Sequence, residues 1–202
     1  IMSTIFEKME DNVGYLEVIL GPMFSGKTTR LLEIYRKYEG IVGKKVVVIN
    51  HYTDNRYGEN TELYTHSRDK IPCLPLQKLS DYEKNHLPKN LEDRKNTVLL
   101  INEGQFFPDV DNMIPRFVEE FGMTVFVCGL DGDFRRRKIG GILNLIPYAD
   151  KITKLTSVCK GCDGSCGKDA LFTFRVSSET EQVVIGSDNY IPLCRKCYNS
   201  SR

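Results

Sequence analysis

Eight consecutive residues, Gly21-Pro22-Met23-Phe24-Ser25-Gly26-Lys27-Thr28, constrain this chain more than any other stretch. They fit G-x-x-x-x-G-K-[ST]. They stand between the strand-like run YLEVIL (15–20) and a segment from Thr29 to Glu39 in which Leu31, Tyr35 and Tyr38 recur at helical spacing, with Gly40 as the stop. A strand, a glycine-rich turn and a helix in that order make an anion cradle. Glycines let successive backbone N–H groups curl around phosphate oxygens at a helix N-terminus, where the peptide dipoles favour negative charge. Lys27 supplies a point charge to β- and γ-phosphates, and Thr28 offers a hydroxyl to Mg²⁺. The motif therefore predicts an ATP and Mg²⁺ site built from Gly21 through Thr28, and it leaves the phosphate acceptor open.

The rest of the chain agrees with such a loop. KKVVVIN (44–50), TVLLIN (97–102) and MTVFVCG (123–129) are continuously apolar, as strands buried on both faces are, and the helical stretch PDVDNMIPRFVEEF (108–121) separates the last two. The expected fold is α/β: a P-loop NTPase-like, mostly parallel sheet with helices on both faces over residues 14–150. The polar segment from Tyr52 to Asp69 reads as a loop or a protruding hairpin. From Cys159 the texture changes to a turn-rich knuckle (CKGCDGSCGKD), two short strand-like runs (LFTFRV, QVVIG) and CRKC, which predicts a small zinc-ribbon-like subdomain over 151–198.

Cys159-x-x-Cys162 and Cys194-x-x-Cys197 are 31 residues apart, compatible with a hairpin flanked by two knuckles. Four thiolates suit tetrahedral Zn²⁺, and a closed four-sulfur site has no vacancy for water, so the metal is expected to be structural. Cys166 is a fifth cysteine outside that spacing, and Cys73 and Cys128 read as small apolar residues.

With 28 basic and 27 acidic residues the formal charge is +1, which argues against a general polynucleotide-binding field. Arg135-Arg136-Arg137-Lys138 is a local basic run of the kind that is usually solvated or faces phosphate. No run of 18 apolar residues occurs and the stretch IMSTIFEKMEDN is too polar for a secretory signal, so a cytoplasmic protein without membrane association is expected.

Five further phrases address the acceptor: LGPMFSGKTT (20–29), INEGQFFPDV (101–110), LDGDF (130–134), GGILNLIPYAD (140–150) and KLTSVC (154–159). In wording, order and spacing this set resembles the small, zinc-containing thymidine kinase family, from about residue 14 to 198. The resemblance implies transfer of the ATP γ-phosphate to the 5′-hydroxyl of thymidine, and of deoxyuridine as well. It also implies a homotetramer, and feedback binding of thymidine triphosphate.

Glu103 draws notice before any family is invoked. It follows an apolar strand at its C-terminal end, where open α/β sheets hold their ligands, and a carboxylate there can accept the proton of an attacking hydroxyl. The resemblance gives it that role, with Lys27 and Arg56 as its catalytic companions. Asp54 is implied to hold Mg²⁺ through water and Gln105 to lie on the nucleotide side, although Asp54 and Arg56 also suit an ordinary solvated loop. The family reads I-D-E-G-Q where this chain has Ile101-Asn102-Glu103. A neutral amide can still accept a hydrogen bond from a metal-bound water, so Asn102 stays in the Mg²⁺ set.

The implied thymine pocket comprises Met23, Phe106, Leu130, Phe134, Thr173 and Tyr190, with backbone groups around Val184 and Gly186 reading the base edge. Two departures bear on the covering loop: an insert at 163–169, and Phe172 where the family has tyrosine. His66 reads as structural. Two competing readings remain: a P-loop ATPase whose zinc ribbon binds nucleic acid or protein, and a catalytically silent relative.

Overall fold

Residues 13–52, 61–64, 70–161, 166–184 and 186–201 are described by the computed structural model. In chain order the main body contains β1 (Tyr15–Gly21), α1 (Lys27–Glu39), β2 (Lys45–His51), β3 (Glu62–Tyr64), β4 (Lys70–Pro72), β5 (Leu74–Leu76), α2 (Ser80–His86), α3 (Leu91–Lys95), β6 (Thr97–Ile101), α4 (Val110–Glu119), β7 (Thr124–Leu130) and β8 (Lys151–Lys154). The C-terminal part adds β9 (Ser157–Val158), β10 (Asp169–Ala170), β11 (Phe172–Arg175), β12 (Tyr190–Leu193) and α5 (Arg195–Ser200).

Six strands form one sheet in the order β5-β2-β6-β7-β1-β8, and every neighbouring pair is parallel. The reason lies in the sequence: all five residues of β6 are buried, as are Leu16 to Gly21 of β1, so each strand needs cover on both faces. One face packs Leu16, Val18, Leu99, Ile101, Val125 and Val127 against α4 through Ile114 and Phe117. The other packs Ile19, Val48, Val98, Leu100 and Phe126 against Leu31, Leu32 and Ile34 of α1. Each such side chain contributes about 1.5–3 kcal/mol by leaving water. The α/β expectation holds, with a sheet wholly parallel.

Three antiparallel pairs stand apart: β3 with β4, β9 with β10, and β11 with β12. In the first, Glu62–Tyr64 of the polar segment after Tyr52 pairs with Lys70–Pro72 just beyond that segment. Lys151–Lys154, which opens the expected C-terminal unit, pairs with β1 as the sixth strand of the main sheet.

QVVIG is not a strand in its described residues; β11 pairs instead with YIPL of β12. The cause is competition for backbone groups. The Gln182 carbonyl accepts from Arg175, and both polar groups of the Val184 backbone bond the Tyr190 hydroxyl, so no ladder partner is left for them. Among the described residues no helix is long and apolar enough to cross a membrane.

Candidate active site

Parallel strands deliver their C-terminal ends to one edge of the sheet, and that edge carries the loop after Gly21, Asn102, Glu103 and Leu130. The loop leaving β1 enters α1 through Phe24 at φ 64° and Gly26 at φ 80°, both left-handed, so the chain reverses sharply before the helix begins. Lys27 is buried, its Nζ donating to the carbonyls of Gly21 (3.2 Å) and Pro22 (2.7 Å). The Ser25 hydroxyl is buried without a hydrogen-bond partner. A cavity of ≈ 660 Å³ lies against this loop, lined by Phe24, Ser25, Gly26, Lys160, Tyr190 and Pro192 among others.

Glu103 stands two residues beyond β6, at φ 55°, and starts a 3₁₀ turn over Gly104–Phe106. A non-glycine residue in the left-handed region carries strain, commonly at sites of function. Gln105, buried to 3% exposure, donates from Nε2 to Glu103 Oε2 at 2.6 Å and accepts from the Leu130 N–H at 3.0 Å. Gly140, at φ 58°, permits this: a Cβ there would lie 1.8 Å from the Gln105 carbonyl. The amide implied to face the nucleotide thus spans the ends of β6 and β7 and holds the carboxylate.

Asn102 is 1% exposed. Its amide donates to Asn50 Oδ1 at 2.9 Å, and its oxygen accepts from the Cys128 thiol at 3.2 Å, so β2, β6 and β7 are tied together beside Glu103. Asp54, Arg56 and His66 lie outside the described residues.

Among the residues implied to line the thymine pocket, Thr173 Oγ1 accepts from the Met23 N–H at 3.0 Å, joining β11 to the loop after β1. Phe134 and Tyr190 both lie under the Arg175 guanidinium, and the Tyr190 hydroxyl bonds the Val184 backbone. Asp133 accepts from the N–H groups of Arg135 and Arg137 (2.8 Å each) and from Gln182 (3.0 Å), fastening the loop after β7 to the segment before Val184. Met23, Phe134, Thr173, Val184 and Tyr190 are therefore linked directly or through Arg175. Leu130 joins Glu103 through Gln105. Phe106 packs on His51, ring centroids 5.7 Å apart, and Gly186 follows Val184 in the same loop at φ 123°.

The sulfurs of Cys159, Cys166, Cys194 and Cys197 all lie within 4.8 Å of one another. Cys166, set aside for its spacing, comes within 3.7 Å of Cys194, whereas Cys162 lies outside the described residues. Tetrahedral Zn²⁺ with bonds of about 2.3 Å sets its sulfurs about 3.8 Å apart, so the donor set fits that ion. The Cys159 sulfur also accepts from the N–H groups of Gly161 (3.4 Å) and Cys194 (3.2 Å). The Cys194 thiol is drawn down to about 6, first by the Cys197 backbone N–H, which favours the thiolate a metal needs.

Comparison with known proteins decides the family. A family model described as thymidine kinase matches residues 14–198. The chain belongs to the thymidine kinase family. A thymidine kinase of Monkeypox virus is 42% identical over 191 residues, covering 94% of this chain and 99% of that protein. One from Oryza sativa subsp. japonica is 40% identical over 186 residues, covering 92% and 66%. One from Yaba monkey tumor virus is 39% identical over 191 residues, covering 94% and 97%. The kinase class expected from the phrases around Gly21, Glu103 and Leu130 is thereby met.

Three roles in this member of the thymidine kinase family escaped sequence reasoning. Arg175 left a faint signal, two residues after Thr173 and hence on the same strand face. The pairing of Asn50 with Asn102 and of Gln105 with Glu103 left none.

Proposed function

We propose that this protein transfers the γ-phosphate of ATP to the 5′-hydroxyl of thymidine, and of deoxyuridine, with Glu103 as general base. The observation that carries it is a carboxylate at the end of β6, oriented by Gln105, on the same sheet edge as the glycine-rich loop after β1. Glu103 takes the hydroxyl proton as the 5′-oxygen bonds to the γ-phosphorus; the bond to the bridging oxygen breaks and ADP departs.

Residues Gly21 to Thr28 bind the phosphates. The partnerless Ser25 hydroxyl and the left-handed turn through Gly26 support that assignment, because a phosphate oxygen satisfies such a buried donor. Lys27 and Arg56 neutralise charge on the transferring group. The Thr28 hydroxyl, the Asn102 oxygen and Asp54 through water are hard oxygen donors suited to Mg²⁺, which when bound offsets charge on the phosphates.

Thymine presents an N3–H between two carbonyls, whereas cytosine presents a ring acceptor beside an amino group. The Val184 carbonyl, which keeps a second lone pair beside the bond from Tyr190, and the Gly186 backbone, arranged for the first, leave buried atoms unpaired against the second. Met23, Phe106, Leu130, Phe134, Thr173 and Tyr190 form the walls.

Cys159, Cys166, Cys194 and Cys197 hold structural Zn²⁺, with Cys166 taking the place first given to Cys162. A cytoplasmic homotetramer with feedback by thymidine triphosphate completes the assignment. A radiolabelled phosphoryl-transfer screen over the natural nucleosides tests it. Label on thymidine supports the kinase, whereas release of free phosphate stimulated by DNA or RNA supports the ATPase alternative.

A further inference from the structure

Arg175 on β11 is a charged side chain only 5% exposed, and its surroundings are unusual for a cation. Its guanidinium lies 3.8 Å from the centre of the Phe134 ring and 5.0 Å from that of Tyr190. Nη1 donates to the carbonyls of Glu179 (3.0 Å) and Glu181, and Nη2 to the carbonyl of Gln182 (3.3 Å) and to the Tyr190 hydroxyl. That hydroxyl donates onward to the Val184 carbonyl at 3.1 Å and accepts from the Val184 N–H at 3.2 Å.

Burying a cation is costly unless its donors are met; here both terminal nitrogens are met, by carbonyls of an irregular segment and by the Tyr190 hydroxyl, while Nε has no partner among the described residues. Those carbonyls belong to 179–182, where no strand pairing occurs, so Arg175 supplies the hydrogen bonds that a ladder would otherwise provide. A planar fork with five donors can serve several acceptors at once; an ammonium on a flexible stem cannot hold the same set. Because Thr173 on the same face bonds Met23, one strand ties the phosphate loop to the base-reading segment.

We propose that Arg175 is a positioning residue for nucleoside recognition: it fixes segment 179–184 and, through the Tyr190 hydroxyl, the Val184 backbone that reads the base. This rests on the thymidine-kinase assignment above. The ordering of that segment is made before the nucleoside arrives, so its entropy cost is not charged to binding.

The test compares the full-length protein with Arg175→Lys, Tyr190→Phe and the double variant. Thymidine KM should rise at least about tenfold in each single variant, with KM for ATP within about twofold of the parent. The double variant should be no worse than the worse single one, because both changes cut one chain of contacts. Amide hydrogen exchange of 177–184 without any nucleoside should quicken in Arg175→Lys.

Unchanged exchange and unchanged thymidine KM would overturn the proposal, as would an equal rise in KM for both substrates. If Arg175→Lys fails to fold, the isosteric Tyr190→Phe carries the same expectation, and an unchanged thymidine KM there overturns it. A parent that phosphorylates no thymidine yet shows quickened exchange in Arg175→Lys would fault the substrate assignment and not the ordering.

Discussion

The Glu103 carboxylate accepts a 2.6 Å hydrogen bond from Gln105 Nε2, and the other end of that amide is fixed by the backbone N–H of Leu130. The carboxylate is thus aimed by a side chain anchored on the adjacent strand end. Gln105→Ala removes this aiming hydrogen bond, and displacement of about 1 Å at a reacting group can cost on the order of 100-fold. Steady-state kinetics should show kcat lowered about 10- to 100-fold, with thymidine KM changed far less. An unchanged kcat would mean that Glu103 is aimed by something else.

Asn102 and Asn50 form a buried amide pair across β6 and β2. Removing Asn50 takes away a buried acceptor of the Asn102 amide, so Asn50→Ala should lower stability by about 1–3 kcal/mol in denaturant titrations. Asn102→Asp replaces the neutral oxygen by a charged one; Asn50 can turn its amide to donate to it. The Mg²⁺ concentration for half-maximal rate should fall, with little change in thymidine KM, because a carboxylate holds a metal-bound water more strongly. Identical magnesium curves would remove position 102 from the metal's surroundings. An inactive parent rescued by aspartate would mark the natural chain as a silent relative.

Cysteine substitution separates the two zinc sets. With Cys166 as fourth ligand, Cys166→Ser should lose the metal, measured as zinc per chain, and melt at a lower temperature, while Cys162→Ser should retain it. The opposite pattern would restore the paired Cys-x-x-Cys assignment.

Asp133 bears on acid stability. Burial opposes its charge, but the N–H groups of Arg137, Gln182 and Arg135 outweigh that, so its pKa lies below the ordinary value. A depressed carboxylate contributes stability that is full above the unfolded value, about 3.9, and is lost as pH falls through the folded one. Asp133→Asn should therefore be less stable than the parent at neutral pH, with the gap closing as acid protonates the parent. A gap that persists at low pH would show that charge is not the cause.

The sheet was legible because β1, β6 and β7 are apolar runs bounded by turns, and α1 because its capping glycines and periodicity agree. QVVIG misled, since a β-branched run looks like a strand whether or not its backbone groups are free to pair; Arg175 and Tyr190 had taken them. Cys166 gave no signal of its own, because motif spacing measures distance along the chain and the cluster is assembled in space; Cys162 lies outside the described residues. Glu103 was visible from the strand it ends, but side-chain pairings between distant parts of the chain form only on folding. Asn50 and Asn102, 52 positions apart, are such a case.

Glu103→Gln measures the central claim most directly. The amide preserves size and can still accept from Gln105, yet it cannot take the hydroxyl proton. Single-turnover transfer of labelled phosphate to thymidine should slow at least about a hundredfold, with thymidine and ATP binding nearly intact. Transfer at close to the parent rate would contradict the assignment of Glu103 as the base.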